Sequence, residues 1–279
     1  MTPALRAAVS YALGHEPAEL HPLGSGFTTN WRVRAGLSDF FVKVSSDADR
    51  LQAEADGLVA LTACRELIVP AVIAAGSAGE QSFLILEWLP LTAAGSPAAL
   101  GEAIAALHDI RGSAHGWHRD NYLGATPQEN SSDVDWARFF AHRRLAPQLE
   151  RATDQGFAAV AAPGQRLLER LPTILAGHRP APALLHGDLW HGNTGYVAGR
   201  PAVFDPAVHF GDVECELAMA ALFGGFPGTF FAAHAAHHPL SPGWQNRRRL
   251  YQLYHLLNHL NLFGTGYLPA VLGCLEELT

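Results

Sequence analysis

Asp188, Asn193 and Asp205 stand five and twelve residues apart in His186-Gly-Asp-Leu-Trp-His-Gly-Asn193 and Phe204-Asp205-Pro206. A carboxylate can take the proton of a hydroxyl nucleophile. An amide oxygen and a second carboxylate are hard ligands of the kind Mg2+ prefers. Together they form a compact kit for phosphoryl transfer from ATP, with Asp188 as base and Asn193 and Asp205 as metal ligands. A plain polar turn would also use an Asp at position 188. The acid that directly follows an apolar run at Ala202-Val203-Phe204 favours the chemical reading.

A second feature lies far upstream. Lys43 is the only lysine in a chain whose other basic residues, within a Lys+Arg total of 19, are all arginine. It sits inside the strand-like run Phe40-Phe41-Val42-Lys43-Val44. An ammonium is a compact point charge that arginine does not replace, and it suits ATP phosphates. Its partner is expected on the next helix, where Leu51, Ala55, Leu58 and Leu61 recur at helical spacing. Glu54 is the natural candidate and Asp56 the weaker one. Between two earlier strand candidates, Gly24, Ser25 and Gly26 can turn a hairpin over phosphates and expose backbone N–H groups. Glu87, Trp88 and Leu89 end the last strand of this region, where backbone groups can meet an adenine edge.

These groups require a scaffold of two parts. Up to about residue 90 the pattern predicts a helix over Thr2–Leu13, then strands over Glu19–Leu23, Asn30–Arg34 and Asp39–Val44. A helix over Ala48–Arg65 and strands over Val72–Gly76 and Ser82–Trp88 follow. A turn-rich connector leads into helices over Pro97–Asp109, Asp133–Thr153, Pro163–His178, Asp212–Phe223 and Trp244–Leu262. Short strands flank the loop of Asp188. The expected division is 1–89 for nucleotide binding, 90–97 as hinge and 98–279 for catalysis and acceptor binding.

The chain is long enough to bury a full core in two lobes. A net charge of −7 and a pI near 6.1 argue against nucleic acid or an anionic membrane as the main partner. Three scattered cysteines, Cys64, Cys215 and Cys274, suggest neither a zinc site nor a disulfide framework. The N-terminal residues do not read as a signal peptide, and no apolar run is long enough to span a bilayer. The cytoplasm is the expected compartment.

At several separate stretches the sequence resembles the fructosamine kinase (ketosamine kinase) family, within the aminoglycoside phosphotransferase and choline kinase superfamily. The stretches are Glu54-Ala-Asp-Gly-Leu58, Asp120-Asn-Tyr-Leu-Gly-Ala-Thr-Pro-Gln128, Asp135-Trp-Ala-Arg-Phe-Phe140 and Arg144-Leu-Ala-Pro-Gln148. Leu185-His-Gly-Asp-Leu-Trp190, Phe204-Asp-Pro-Ala207, Gly211-Asp-Val-Glu-Cys-Glu-Leu-Ala-Met219 and Phe223-Gly-Gly-Phe226 complete the set. The resemblance implies an α+β, bilobal protein-kinase-like fold with a small β-rich N-lobe and a larger, mostly helical C-lobe. It implies ATP and Mg2+, and phosphorylation of a sugar hydroxyl on a free or protein-bound glycated amine. The 3-phosphate then makes the ketosamine unstable and releases the amine, a deglycation. Trp190 is expected to line the sugar site.

Two departures from the family pattern stand out. The glycine-rich loop lacks the cysteine that the family often carries, so no disulfide-linked dimer is expected. The usually small position before Gly192 is His191, whose side chain is expected to face solvent. Asp212 and Glu216 open a helix, where acids cap and favour the dipole; in the superfamily this Asp often braces the catalytic loop. His186 is expected to bond the strand carrying Asp205. His234 and His238 share a helix face, and a surface helix end is the expectation for them. Asp120, Asn121 and Gln128 either shape the substrate cleft or order a loop. Other readings of the chain are a kinase for an aminoglycoside or choline-like alcohol, a nucleotide-binding pseudokinase, and a helical interaction module.

Overall fold

The computed structural model describes residues 1–279. Its first part is built on a five-stranded antiparallel sheet. Helix α1 (Pro3–Leu13) is capped by the Thr2 hydroxyl and leads into β1 (Pro17–Ser25), β2 (Thr29–Ala35) and β3 (Ser38–Ser45). Helix α2 (Ala48–Leu61) follows, capped by Asp47, and β4 (Val72–Ala78) and β5 (Gln81–Glu87) complete the sheet in the order β1-β2-β3-β5-β4.

Strand alternation explains the layering. Val42 and Val44 of β3 turn to one face, where they pack with Leu5 and Val9 of α1. On the other face Leu51, Ala55 and Leu58 of α2 pack on Leu84 and Leu86, with Phe41 beside them. Lys43 lies between Val42 and Val44 in the chain and so shares the α2 face. The register sets it opposite Asn30 on one side and Leu84 on the other.

The second part is mostly helical. Helix α3 (Pro97–His108) starts at a Ser96 cap, and a short hairpin of β6 (Asn121–Leu123) and β7 (Thr126–Gln128) follows. Next come α4 (Trp136–Phe140), α5 (Ala146–Asp154) and α6 (Ala161–Ile174). Strand β8 (Ala183–Leu185) enters the loop of Asp188. The β9 (Thr194–Val197) and β10 (Arg200–Val203) hairpin leaves it, and β11 (His209–Gly211) returns to pair antiparallel with β8. Helices α7 (Val213–Leu222), α8 (Gly228–His237), α9 (Trp244–Phe263) and α10 (Leu268–Leu278) complete the chain. The largest core cluster lies here, where Trp136, Phe139, Phe140 and Tyr251 meet the buried leucines of α9. No helix is long and apolar enough to cross a membrane.

The expected elements are present, with displaced ends and three additions. The helix expected over Asp133–Thr153 is interrupted: α4 starts after the Asp135 cap, and a π-helical turn at Ala141–Leu145 separates it from α5. Pro147 explains the break, because it has no N–H to donate back to the carbonyl of Arg143. That carbonyl accepts from Arg144 Nη1 at 2.9 Å instead. Helix α2 stops at Leu61 rather than Arg65, and α6 starts two residues before and ends four residues before the Pro163–His178 expectation. The β6–β7 hairpin, α8 and α10 lie outside the expected elements.

Candidate active site

Lys43, Glu54, Asp188, Asn193 and Asp205 converge on the cleft between the sheet and the helical part. Lys43 Nζ contacts Glu54 Oε1 at 2.6 Å and bonds to Asp205 Oδ1 as well. The lysine is buried. Burial works against its charge, but the carboxylates of Glu54 and Asp205 outweigh it and raise its pKa above the usual lysine value. Burial raises Glu54 in turn, and Lys43 draws it back down. Asp56 faces elsewhere, accepting from Trp117 Nε1 at 2.7 Å and pairing with His118 at 3.1 Å.

Asp188 lies in the turn after β8, and Asn193 ends a 3-10 turn at His191–Asn193. Asn193 Nδ2 donates to the Asp188 backbone oxygen at 2.9 Å and to Asp188 Oδ2 at 3.1 Å. The amide nitrogen therefore fixes the Asp188 carboxylate, and Oδ1 points the other way, free of protein donors. Burial pushes the Asp188 carboxyl up to about 7, with the Asn193 bond opposing and Asp205 and Glu216 adding to the rise. Asp205 follows β10 with φ of 56°, in the left-handed region that a non-glycine residue rarely adopts. Its side chain is 48% exposed, toward the cleft.

Several residues hold this geometry from behind. Gly187 has φ of 84°, and a Cβ there would stand 2.0 Å from the Ala207 carbonyl oxygen. The loop after β8 can approach the loop after Asp205 only through a residue with no side chain. Gly57 of α2 does the same from the other side: an added Cβ would meet Pro206 at 3.1 Å. Helix α2, which carries Glu54, thus rests directly on the loop of Asp205. His186 Nε2 donates to the Phe204 carbonyl at 3.0 Å, as expected from the sequence.

The bracing role expected of Asp212 falls instead to Glu216, four residues on. Asp212 caps α7 and accepts from Tyr251 at 2.7 Å and from His178 at 2.6 Å, without touching the catalytic loop. Glu216 is the brace. Its two oxygens accept the backbone N–H groups of His186 and Gly187, each at 2.8 Å. His108 Nε2 supports it at 3.2 Å, and His234 Nε2 meets His108 Nδ1 at 2.8 Å. His234 is therefore fully buried between α3 and α8, contrary to the surface position expected for it. His237 is exposed, and His238 pairs with Asp109 at 3.1 Å.

The Asp120–Gln128 stretch orders a loop. Asn121 Nδ2 donates to the Val208 carbonyl at 2.7 Å, and Gln128 Nε2 donates to Asn121 Oδ1 at 2.8 Å and to the Ala207 carbonyl at 3.3 Å. Arg144 completes this buried network through Asn130 Oδ1 at 2.7 Å. Asn121 also reaches the cleft.

Three connected cavities divide the cleft. An apolar slot of about 320 Å3 lies under Phe41, Leu86, Trp88, Leu89 and Phe204, with Glu87, Lys43 and Asp205 at its edges. A central space of about 290 Å3 holds Lys43, Glu54, Asp188, Asn193 and Asp205 together. The third, about 440 Å3, runs from Asp188 and Trp190 between Phe27 and the end of α9. Gly26 lines the central space, whereas Gly24 and Ser25 lie at the exposed end of the hairpin, outside all three cavities. Arg50, not singled out in the sequence, bonds the Phe27 carbonyl and Ser45 and so ties the hairpin tip to α2. Trp190 lines both inner cavities and covers Gly192; His191 is exposed, as expected, with its ring edge-on to the indole.

A sheet-borne ammonium–carboxylate pair facing an acid–amide–acid loop across such a cleft is the arrangement of a two-lobed kinase. Aminoglycoside phosphotransferases share this fold: one, in complex with ADP and hygromycin B, superposes with a TM-score of 0.67 at 16% identity, covering 99% of this chain and 96% of the other. The chain belongs to the fructosamine kinase family, whose model matches residues 3–279. A probable ketoamine kinase from Synechocystis is 43% identical over 242 residues, 83% of this chain and 80% of the relative. A chloroplastic protein-ribulosamine 3-kinase from japonica rice is 34% identical over 297 residues, 98% of this chain and 86% of the relative. A crystal structure from Haemophilus somnus, provisionally named a fructosamine-3-kinase, has a TM-score of 0.92 at 29% identity, covering 99% of this chain and 96% of the other.

Proposed function

We propose that the protein transfers the γ-phosphoryl group of ATP to a sugar hydroxyl of a ketosamine, with residues 1–89 as nucleotide lobe, 90–97 as hinge and 98–279 as catalytic and acceptor lobe. The observation that carries this is the meeting of Lys43–Glu54 with Asp188, Asn193 and Asp205 in one cleft. The slot under Trp88 and Leu89 takes the adenine, with the backbone at Glu87–Leu89 along its edge. Gly26 and the neighbouring hairpin, Gly24 and Ser25 included, cover the phosphates. Lys43 holds a phosphate oxygen.

The donor set fits a hard cation: Asn193 Oδ1 is free of protein donors, and the Asp205 carboxylate is half exposed beside it. Mg2+ held by these two residues would supply charge neutralisation on the phosphates. Asp188, oriented by Asn193, accepts the proton of the attacking hydroxyl as the new O–P bond forms and the bond to the β-phosphate oxygen breaks. Trp190 offers the sugar a flat apolar face and one N–H donor. Glu216 keeps the backbone under Asp188 in place, so most of the rate enhancement comes from positioning and electrostatics.

Family membership and the acceptor cavity favour a ketosamine. Asp188 is the one carboxylate lining that cavity, whereas a polycationic aminoglycoside calls for several. The 3-phosphate of the product destabilises the ketosamine and releases the amine. The proposed compartment is the cytoplasm, where ATP and Mg2+ are supplied and three free thiols suit the redox poise. Measuring ADP release with Mg–ATP and a panel of ketosamines, aminoglycosides and choline tests the reading. Turnover confined to ketosamines is expected. Turnover with the other alcohols alone, or nucleotide binding with no acceptor at all, overturns it.

A further inference from the structure

The cavity beyond Asp188 and Trp190 ends in an aromatic cluster centred on His259. Phe223, Tyr267 and Phe263 surround its imidazole at centroid distances of 4.6, 5.1 and 5.4 Å. The Phe263 ring also lies 6.1 Å from Phe27, at the tip of the hairpin across the cleft. Both phenylalanines are about half exposed, an unusual position for two rings unless something lies against them.

The imidazole itself has a defined polarity. His259 Nδ1 lies 2.8 Å from the His255 carbonyl. A carbonyl only accepts, so Nδ1 carries the hydrogen and Nε2 carries a lone pair. No protein group bonds Nε2. Burial holds the ring below the usual histidine range, which keeps it neutral and an acceptor at physiological pH. Neighbouring Asn258 is already committed, to Gln148 at 3.1 Å and to the Leu123 carbonyl at 3.3 Å. The lining contains no Lys or Arg.

A ketosamine carries a secondary ammonium next to its sugar, with two N–H donors, a positive charge and an organic substituent. Resting on the ketosamine reading above, we propose that this end of the cavity seats the amine half of the substrate. His259 Nε2 accepts from the ammonium, and the rings of Phe223, Phe263 and Tyr267 enclose a hydrocarbon substituent. The π faces favour the cation, and the apolar walls favour an alkyl or aryl chain such as a lysine side chain's methylenes. An amine half that carries a carboxylate finds no cation in the wall and is disfavoured.

The test compares kcat/KM for three substrates built on one sugar: the ketosamine of hexylamine, its 1-O-hexyl ether counterpart and the ketosamine of glutamate. Wild type is expected to prefer the hexylamine adduct by about tenfold or more over each of the others, the scale of one hydrogen bond to a charged group. His259→Leu should bring the amine-to-ether ratio close to one with KM for ATP kept, and His259→Gln, which retains an acceptor oxygen, should restore part of it. Phe263→Ala removes a half-exposed ring, so folding does not limit it; it should lower the preference for hexylamine over methylamine adducts. An unchanged amine-to-ether ratio in His259→Leu, or equal use of all three substrates by wild type, overturns the inference while leaving the kinase reading standing. A wild-type protein that phosphorylates no ketosamine overturns both.

Discussion

At the scale of single residues, the site depends on which atoms are already engaged. Asn193 spends its amide N–H groups on Asp188 and so leaves its oxygen for a cation, while Asp205 and Glu54 share the single lysine. Replacing Asp188 by Asn keeps the shape and removes the proton acceptor. A fall in kcat of about 10²–10⁴ is expected, with ATP binding held near wild type, because the role proposed for Asp188 is on the acceptor and not on the nucleotide. Steady-state kinetics with a separate nucleotide titration checks this; wild-type turnover removes Asp188 from the role. Trp190→Ala should raise KM for the ketosamine far more than KM for ATP. If both rise alike and the melting temperature falls, the indole only packs over Gly192.

At the scale of elements, one helix holds the loop of the base in place. Glu216 on α7 receives two backbone N–H groups of that loop, and Glu216→Gln replaces one of the acceptor oxygens by an N–H2 facing another N–H. The expected cost is about 3 kcal/mol of stability at neutral pH together with a fall in kcat. Burial raises the Glu216 carboxyl, but the bond from His108, the nearby imidazoles and the Gly187 N–H outweigh it, so its folded-state pKa lies below the usual glutamate value. The stabilisation is therefore complete above the ordinary glutamate range and is lost as pH falls through the folded-state pKa. Melting curves of wild type and Glu216→Gln should converge in acid and differ most near neutrality. A constant gap across pH contradicts the ionised brace.

The same element shows how far the sequence could be read. Two acids at the start of an apolar helix signal capping, and the family resemblance assigns the brace to Asp212, whereas Glu216 carries it. Which acid does which depends on the helical phase relative to β8, a tertiary quantity that spacing does not encode. The Lys43 strand and Glu54 were legible because a charge inside an apolar run and an acid on the next helix are local patterns. His234 was not, because its burial comes from α8 packing on α3, more than a hundred residues away in the chain. The amine-side cavity was equally hidden: its walls come from residues 27, 123, 190, 223 and 259–267, none of them adjacent in pattern.

At the scale of the whole molecule, the cleft joins two parts that a nucleotide would hold together. Mg–ATP at roughly 100 times its Kd should stabilise the fold by about 2.7 kcal/mol, seen as a rise in melting temperature. Lys43→Met should lose most of that rise. The β1–β2 hairpin carries no cysteine, and burial raises all three thiols, Cys64 to about 11. Diamide should therefore give no disulfide-linked dimer on a non-reducing gel and no reversible loss of activity. A reducible inactive dimer would assign a redox switch to one of these residues. The most direct test of the central claim is to incubate the protein with Mg–ATP and a ketosamine and follow the product by 31P NMR and mass spectrometry. The account predicts one new phosphomonoester on the sugar, an equal amount of ADP, later release of the free amine, and none of these with Asp188→Asn. ADP formed without a sugar phosphoester, or the same phosphoester formed by the Asp188→Asn protein, contradicts it.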